Sequence, residues 1–284
     1  MRVLVTGSNG QLGHDVLICL SSQNIDCLGV DRVDFDLTDL KLTAQFIQEY
    51  KPDVMIHCAA FTNVDLAESE IEKCYALNVE ATTNIAIQCK KVGSKLVYIS
   101  TDYIFSGESL EPYETDSGAE PLSVYGKTKL LGEESIRNNI LEHFVVRTSW
   151  SFGTNGSNFV NTMLRLGREK ESIDVVCDQV GSPTYTIDLA KSIVEMIGTT
   201  NYGTYHVTNE GYCSWAEFAV EIFKQSGLKT KVNFITSDKF PSVVKRPKNS
   251  ILSKKSLYEG RFQPLPEWKD ALKRYLIEIG IRKE

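Results

Sequence analysis

The chain has 284 residues, 42% of them hydrophobic and 24% charged, an ordinary globular composition and enough length for one large domain or a domain with a smaller lobe. A net charge of −6 supplies no basic field for DNA or RNA, though it leaves room for a small basic pocket that takes an anionic ligand. Seven scattered cysteines without a Cys-x-x-Cys pair, and four histidines with none paired at ligand spacing, predict free thiols in a reducing cytoplasm and no structural zinc. No apolar run reaches the ~18 residues of a membrane span, and Met1 runs straight into a strand, so neither a span nor a signal peptide is expected.

Residues 2–6 read as a short buried strand. Gly7-Ser8-Asn9-Gly10-Gln11-Leu12-Gly13 follows at once, and a helical pattern then runs to about Leu20. Strand, glycine-rich turn and helix in that order form a dinucleotide-binding unit: the glycines allow close backbone approach, and the helix start offers N–H groups to a pyrophosphate. The spacing is G-x-x-G-x-x-G rather than G-x-G-x-x-G. A second strand at 27–30 ends in Asp31, about twenty residues past the glycines, where a carboxylate accepts adenine ribose hydroxyls. Arg32 beside it suits a 2′-phosphate instead, so NADH and NADPH both stay open, with NADH favoured. Asp36-Leu37-Thr38-Asp39 caps a helix to about Tyr50, with Asp36 either a turn residue or an adenine neighbour.

A third strand at 54–58 ends in Ala59-Ala60, whose small side chains either let a flat ligand lie on the backbone or simply pack. A loop from Phe61 to Asp65, a mostly helical stretch 68–91 and a strand 95–100 lead to Thr101-Asp102-Tyr103. After a turn-rich loop with Pro112, Gly118 and Pro121, Ser123-Val124-Tyr125-Gly126-Lys127-Thr128-Lys129 opens a helix, with Leu130, Leu131 and Ile136 on one face. Tyr125 and Lys129 are four apart and share a face, with about 5–6 Å between Cβ atoms. A neighbouring ammonium is expected to lower the phenol pKa towards working pH and arm it for proton transfer. A half-buried Tyr with a snorkelling Lys is the plainer alternative.

With a fifth strand at 144–148 the pattern is βαβαβαβαβ, which predicts an α/β fold of Rossmann type, a doubly wound parallel sheet. Its strand ends carry Gly10, Asp31, Ala59, Thr101 and Trp150 on the edge where such sheets bind ligands. Beyond Trp150 come helices near 157–170, 186–198, 214–227 and 267–281, with strands near 173–177, 203–207 and 231–235. The expected organisation is a dinucleotide-binding domain over 1–150 and, over 151–284, mainly a smaller mixed α/β substrate lobe packed closely on it. Loops 178–184 and 246–250 are rich in turn and hydrogen-bonding residues, with turn-building their first expected role and substrate contact their second.

This set of motifs resembles the extended short-chain dehydrogenase/reductase superfamily and, within it, is most similar to the dTDP-4-dehydrorhamnose reductase family. The likeness spans nearly the whole chain. Gly10-Gln11-Leu12-Gly13 and Tyr125-x-x-x-Lys129 are superfamily-wide. Thr101-Asp102-Tyr103-Ile104-Phe105 and Arg147-Thr148-Ser149-Trp150 are far more specific to the reductase branch, and the likeness also takes in Asp178-Gln179 through Pro183-Thr184 and Arg246-Pro247 with Asn249-Ser250.

The resemblance implies reduction of a nucleotide-sugar C4 ketone by NADH or NADPH, with Tyr125 as proton donor, Lys129 as its partner and Thr101 on the carbonyl. Cofactor contacts carry over to Gly7, Gly10, Gln11, Leu12, Gly13, Asp31, Asp36, Leu37, Ala59, Ala60 and Phe61, together with Tyr125 and Lys129. Substrate contacts carry over to Val64, Thr101, Asp102 and Trp150. Arg246 is added because a guanidinium in the second lobe suits a diphosphate.

Some members of the family dimerise through magnesium held by acids. Around Tyr185-Thr186-Ile187 no acid appears before Asp188, so no metal is expected and the chain is taken as a monomer or homodimer. Three rivals share the scaffold. A dehydratase resembles a pattern with Glu where Tyr103 stands. An epimerase retains its NAD through the cycle. A regulatory subunit of methionine adenosyltransferase would not need the Tyr125–Lys129 pair.

Overall fold

Both faces of the early strands are apolar, and that decides the architecture. Val3 and Val5 of β1 (Arg2–Thr6) point one way and Leu4 the other, and all three are fully buried. A strand buried on both sides belongs inside a parallel sheet covered by helices on each face. The computed structural model describes residues 1–240 and 242–282, and its main sheet is of this kind. Strands β2 (Asp26–Val30), β3 (Val54–His57), β4 (Lys95–Thr101) and β5 (His143–Thr148) join β1 in the order β2-β1-β3-β4-β5, every pair parallel.

Helix α1 (Gln11–Ser22) covers one face, with Val16 and Leu20 packed on Val3, Val5 and Ile56. On the other face lie α2 (Leu40–Tyr50), a helical run after β3, and the helix after β4; Leu4, Met55, Leu96, Ile85 and Ile136 make that core. The run after β3 is less regular than the single stretch expected over 68–91. It consists of α3 (Val64–Ala67), α4 (Ile71–Tyr75), a π-helical turn Ala76–Ala81 and α5 (Thr82–Val92). Such wide turns often sit beside functional sites.

The helix after β4 is α6 (Val124–Asn139). Its start is set by Ser123, whose hydroxyl accepts the Gly126 N–H at 3.1 Å.

After β5 the chain enters the second lobe with β6 (Ser151–Phe152), α7 (Phe159–Glu169), β7 (Ser172–Val176), β8 (Val180–Gly181) and β9 (Thr184–Tyr185). It then returns. Helix α8 (Thr186–Ile197) packs along α1, and β10 (Gly203–His206) pairs parallel with β5 as the sixth strand of the main sheet. The division expected at Trp150 is therefore crossed twice. The reason is the apolar stripe of α8: Leu189, Ala190, Ile193 and Ile197 are fully buried in the same core as Val16 and Leu20.

The remaining chain, β11 (Cys213–Ser214), α9 (Trp215–Ser226), β12 (Lys231–Ile235), α10 (Lys255–Glu259) and α11 (Trp268–Glu278), mostly completes the second lobe, although α10 packs on β10. That lobe has its own core, centred on Phe152, Tyr185, Phe218, Trp268 and Tyr275. Among the described residues no helix is long and apolar enough to cross a membrane.

One polar link crosses the first lobe. Glu133 of α6 is fully buried, and Arg147 of β5 reaches both its oxygens, Nε to Oε1 at 2.9 Å and Nη2 to Oε2 at 2.8 Å. Arg137 pairs with the same carboxylate from the solvent side. Arg147 Nη1 also donates to the Thr115 carbonyl at 2.9 Å and lies 3.3 Å from His206 Nε2, so helix, loop and the last two strands meet at one guanidinium. Glu133→Gln removes the charge that Arg147 is buried against. Breaking such a pair costs about 3–5 kcal/mol, so the melting temperature should fall by on the order of 10 °C. A melt within two or three degrees of wild type would show that the pair does not hold these elements together.

Candidate active site

Strand order reverses between β1 and β3, because the chain leaves β1 towards β2 on one side and later builds β3, β4 and β5 on the other. The loops leaving those two strands must diverge, and a crevice opens at their carboxyl ends. Here the crevice is a cleft of about 1000 Å³. The glycine turn (Gly7, Gly10, Gln11, Leu12, Gly13) lines one end. Asp31, Asp36 and Leu37 follow along one wall, and Ala59, Ala60, Phe61 and Val64 along another. Thr101, Asp102, Tyr125, Lys129 and Trp150 line the far end. Arg246 does not line it: its Nη2 is ion-paired with Asp65 Oδ2 of α3 at 3.1 Å.

The glycine end fits a dinucleotide. Gly7 has φ +68°, and a Cβ there would lie 2.7 Å from the Ala59 amide nitrogen; one on Gly13 would lie 2.1 Å from the Gly7 carbonyl oxygen. The turn closes backbone on backbone. Gly10, at the cap of α1, offers no side chain to the first N–H groups of the helix, whereas Ser123, Asp39 and Ser214 cap their helices. Those N–H groups are left for an anion.

Asp31 Oδ2 accepts the Asn9 N–H at 2.9 Å, so the carboxylate braces the turn as well as facing the cleft. Asp36 is a turn residue that also lines the cleft. Its Oδ1 accepts from the Thr38 amide at 2.9 Å and hydroxyl at 2.8 Å, which lowers its pKa, while Asp39 caps α2 through Lys41 and Leu42.

At the far end the expectation for Tyr125 is overturned. Instead of being lowered by Lys129, the phenol pKa is raised by burial, with the neighbouring Thr101 hydroxyl opposing that. Lys129 is itself buried, 2% exposed, with Nζ 4.0 Å from the centre of the Tyr98 ring. Burial lowers its pKa to about 7, against the pull of Glu133 one turn further along α6. The Thr101 hydroxyl donates to Asp102 Oδ1 at 3.0 Å and accepts the Tyr103 N–H at 3.2 Å. Burial raises Asp102 to about 6, with the Ser250 and Thr101 hydroxyls opposing. The Tyr103 ring meets that of Tyr125 edge-on, centroids 5.7 Å apart. A phenol kept protonated beside an oriented hydroxyl can donate a proton to an oxygen placed between them.

Sequence reasoning missed Asn78, on the π-helical turn. Its Oδ1 accepts the Phe61 N–H at 2.8 Å, and its Nδ2 donates to the Phe61 carbonyl at 3.2 Å and to Thr128 Oγ1 at 3.1 Å, tying the cleft loop to α6. No periodicity announces a π turn, so no signal was available. Glu133 was also missed, although its place four residues after Lys129 was a readable signal.

The two turn-rich loops of the second lobe build structure. Val180 donates its N–H to the Lys248 carbonyl at 2.8 Å and accepts that of Ser250 at 2.9 Å.

The model of the RmlD substrate binding domain family matches residues 1–280. The spore coat polysaccharide biosynthesis protein SpsK of Bacillus subtilis is 39% identical, the match covering 98% of this chain and 97% of that protein. Two solved dTDP-4-dehydrorhamnose reductases superpose along nearly their whole length. That of Clostridium acetobutylicum is 41% identical with a TM-score of 0.97, covering 99% of this chain and 100% of that one. That of Bacillus anthracis, in complex with NADP, is 43% identical with a TM-score of 0.95, covering 98% and 99%.

The buried ammonium has a consequence for stability. Folding takes Lys129 from 10.5 to about 7. Below about pH 7 the fold bears the whole penalty of burying a charged lysine; between about pH 7 and 10.5 the penalty shrinks, because the folded lysine is neutral while the unfolded one is charged. Lys129→Met keeps the apolar stem and leaves Glu133 both its arginines. Its melting temperature should exceed wild type by several degrees near pH 6, the gain narrowing as pH rises towards 10. Thermal melts across that range decide it; a variant less stable than wild type at every pH would mean that the ammonium is fully compensated where it lies.

Proposed function

The chain belongs to the RmlD substrate binding domain family, and from that premise we propose that it reduces dTDP-4-dehydro-β-L-rhamnose at C4 to dTDP-L-rhamnose, using NADH or NADPH. The observation that carries the reading is the cleft itself: an uncapped, glycine-closed helix start at one end, and Thr101, Tyr125 and Lys129 together at the other. Three relatives named for this reduction, 35%, 41% and 43% identical, match along nearly their whole length.

The glycine turn and the start of α1 would hold the pyrophosphate of the cofactor, Asp31 would hold its adenine ribose, and Ala59, Ala60 and Phe61 would give it a flat floor. NADH or NADPH, when bound, supplies the hydride. When substrate binds, the Thr101 hydroxyl turns its one proton from Asp102 to the ketone oxygen and points that oxygen at Tyr125, which delivers the proton, so that the carbonyl becomes a secondary alcohol. The raised phenol pKa suits this direction, since a donor must reach the reaction protonated. Lys129, with its pKa near 7, can exchange a proton at the working pH and return the tyrosine to its acid form. Tyr103 stands where a dehydratase resembles a pattern with Glu, so the general acid/base for eliminating water is missing. The nucleotide end of the substrate binds far from the reacting carbon and positions the sugar.

Tyr125→Phe removes one oxygen and keeps the ring. In an assay following nicotinamide absorbance with dTDP-4-dehydrorhamnose, turnover should fall by ~10²–10⁴-fold, the worth of a positioned proton donor, with cofactor affinity almost unchanged. Thr101→Val should cost less, because it removes one hydrogen bond rather than the proton source. A Tyr125→Phe enzyme within threefold of wild type, with chemistry limiting, would refute the mechanism.

Asp31 also makes a prediction. A carboxylate disfavours a 2′-phosphate, so NADH should bind modestly tighter than NADPH in isothermal titration. Tenfold tighter NADPH would mean that Arg32 governs the choice.

A further inference from the structure

Trp150 is held in a conformation that its own backbone resists. It follows β5 with φ +47°, left-handed for a bulky side chain. Such strain persists only where the surroundings over-determine it, and here they do. The indole stacks on that of Trp215, ring centroids 3.5 Å apart and planes within 9°. On another side lies Gly181, where a Cβ would sit 2.6 Å from the Trp150 ring. These two walls are fixed to each other, because β8 and β11 pair antiparallel with Cys213 opposite Gly181 and Ser214 opposite Val180. Trp215 is the first residue of α9, whose Ser214–Glu217 capping box sets the helix start, and Phe159 backs it at 4.6 Å. The Trp150 carbonyl accepts the Thr184 N–H at 3.1 Å, and Ser149 Oγ donates to the Ser182 carbonyl at 2.8 Å.

We propose that Trp215, which nothing in the reaction scheme above uses, is a positioning residue: with Gly181 it clamps Trp150 into a rigid wall at the sugar end of the cleft and thereby sets affinity for the nucleotide sugar. This rests on the reading of the cleft as a nucleotide-sugar site. A wall already fixed in its binding conformation loses no side-chain freedom when substrate arrives, so the clamp acts on KM more than on kcat. The cofactor end is lined by other loops and should not sense it.

The test uses the full-length enzyme with dTDP-4-dehydrorhamnose and NADPH. Trp215→Ala should raise KM for the sugar by about threefold to tenfold, the worth of an aromatic pair, with kcat and NADPH affinity nearly unchanged. It should also abolish the exciton couplet that two stacked indoles give in far-ultraviolet circular dichroism. Trp215→Phe keeps a stacking ring and should return most of the affinity. Gly181→Ala crowds the Trp150 ring and the Ser250 hydroxyl, each 2.6 Å from the added Cβ, without touching Trp215, and should raise KM where Ser250→Ala alone does not; it also serves if Trp215→Ala does not fold.

An unchanged sugar KM in Gly181→Ala or in a folded Trp215→Ala overturns the proposal; in the first case any effect of Trp215 is direct contact. A couplet absent from wild type, or kept in Trp215→Ala, overturns it too. Absence of turnover by the wild type with this substrate counts against the reduction instead, and the couplet still reports whether the clamp exists.

Discussion

Everything at the catalytic end depends on keeping a lysine ammonium out of water. Lys129 lies on the inner face of α6, over the Tyr98 ring, and burial alone would drive it to the neutral amine. The opposing influence is Glu133, a carboxylate that is itself buried and held ionised by Arg147 and Arg137. The Glu133 carboxylate is compensated by direct pairing with two guanidinium groups, whereas the Lys129 ammonium has only that carboxylate's longer-range pull and keeps a depressed pKa. Arg147 extends the pairing to β5, to the Thr115 loop and to His206 of β10, where burial keeps the imidazole neutral so that it can accept from the guanidinium. The position of α6 on the sheet, and with it the reach of Tyr125, follows from satisfying these charges.

The other half of the cleft is built from backbone. The reversal of strand order after β1 opens the crevice, and the glycines let the turn and the β3 loop close on each other. Asn78 connects this backbone half to the side-chain half, since one amide binds both groups of Phe61 and the Thr128 hydroxyl on α6. A regular α-helix through 76–81 would carry that side chain round to a different angle; the π turn is how the helix presents it. The floor of one site and the acid of the other are thus set in register by one residue.

The sheet and the mouth of the cleft were legible in the sequence because they depend on local pattern. A short buried apolar strand, a glycine turn and Asp31 at a strand end are short-range signals, and each lies where it was read. What escaped depends on partners distant in sequence. The sign of the Tyr125 shift could not be read from the spacing to Lys129, because it is set by how deeply α6 is buried. The ion pair of Arg246 with Asp65, 181 residues away in the chain, likewise has no local signal. The strand at 203–207 was read, but no local feature of it says which sheet it joins; the register of β10 against Phe144 through Arg147 exists only in the assembled fold.

That return of the chain also explains why the two lobes can hold a cleft of fixed shape. The second lobe is not hung on a linker: the chain enters it at the end of β5, comes back through α8 to β10, the strand beside β5, and enters it again after β10. Both junctions are anchored. At the exit, Trp150 and Ser149 are bonded to the 182–184 segment; at the re-entry, the Thr186 hydroxyl donates to Asp15 of α1 at 2.5 Å. A lobe whose first exit and return are both bonded in this way has little freedom to rock relative to the sheet. Trp150 stands at the first of these anchors, so its ring can be held against the second lobe while its backbone continues a strand of the first.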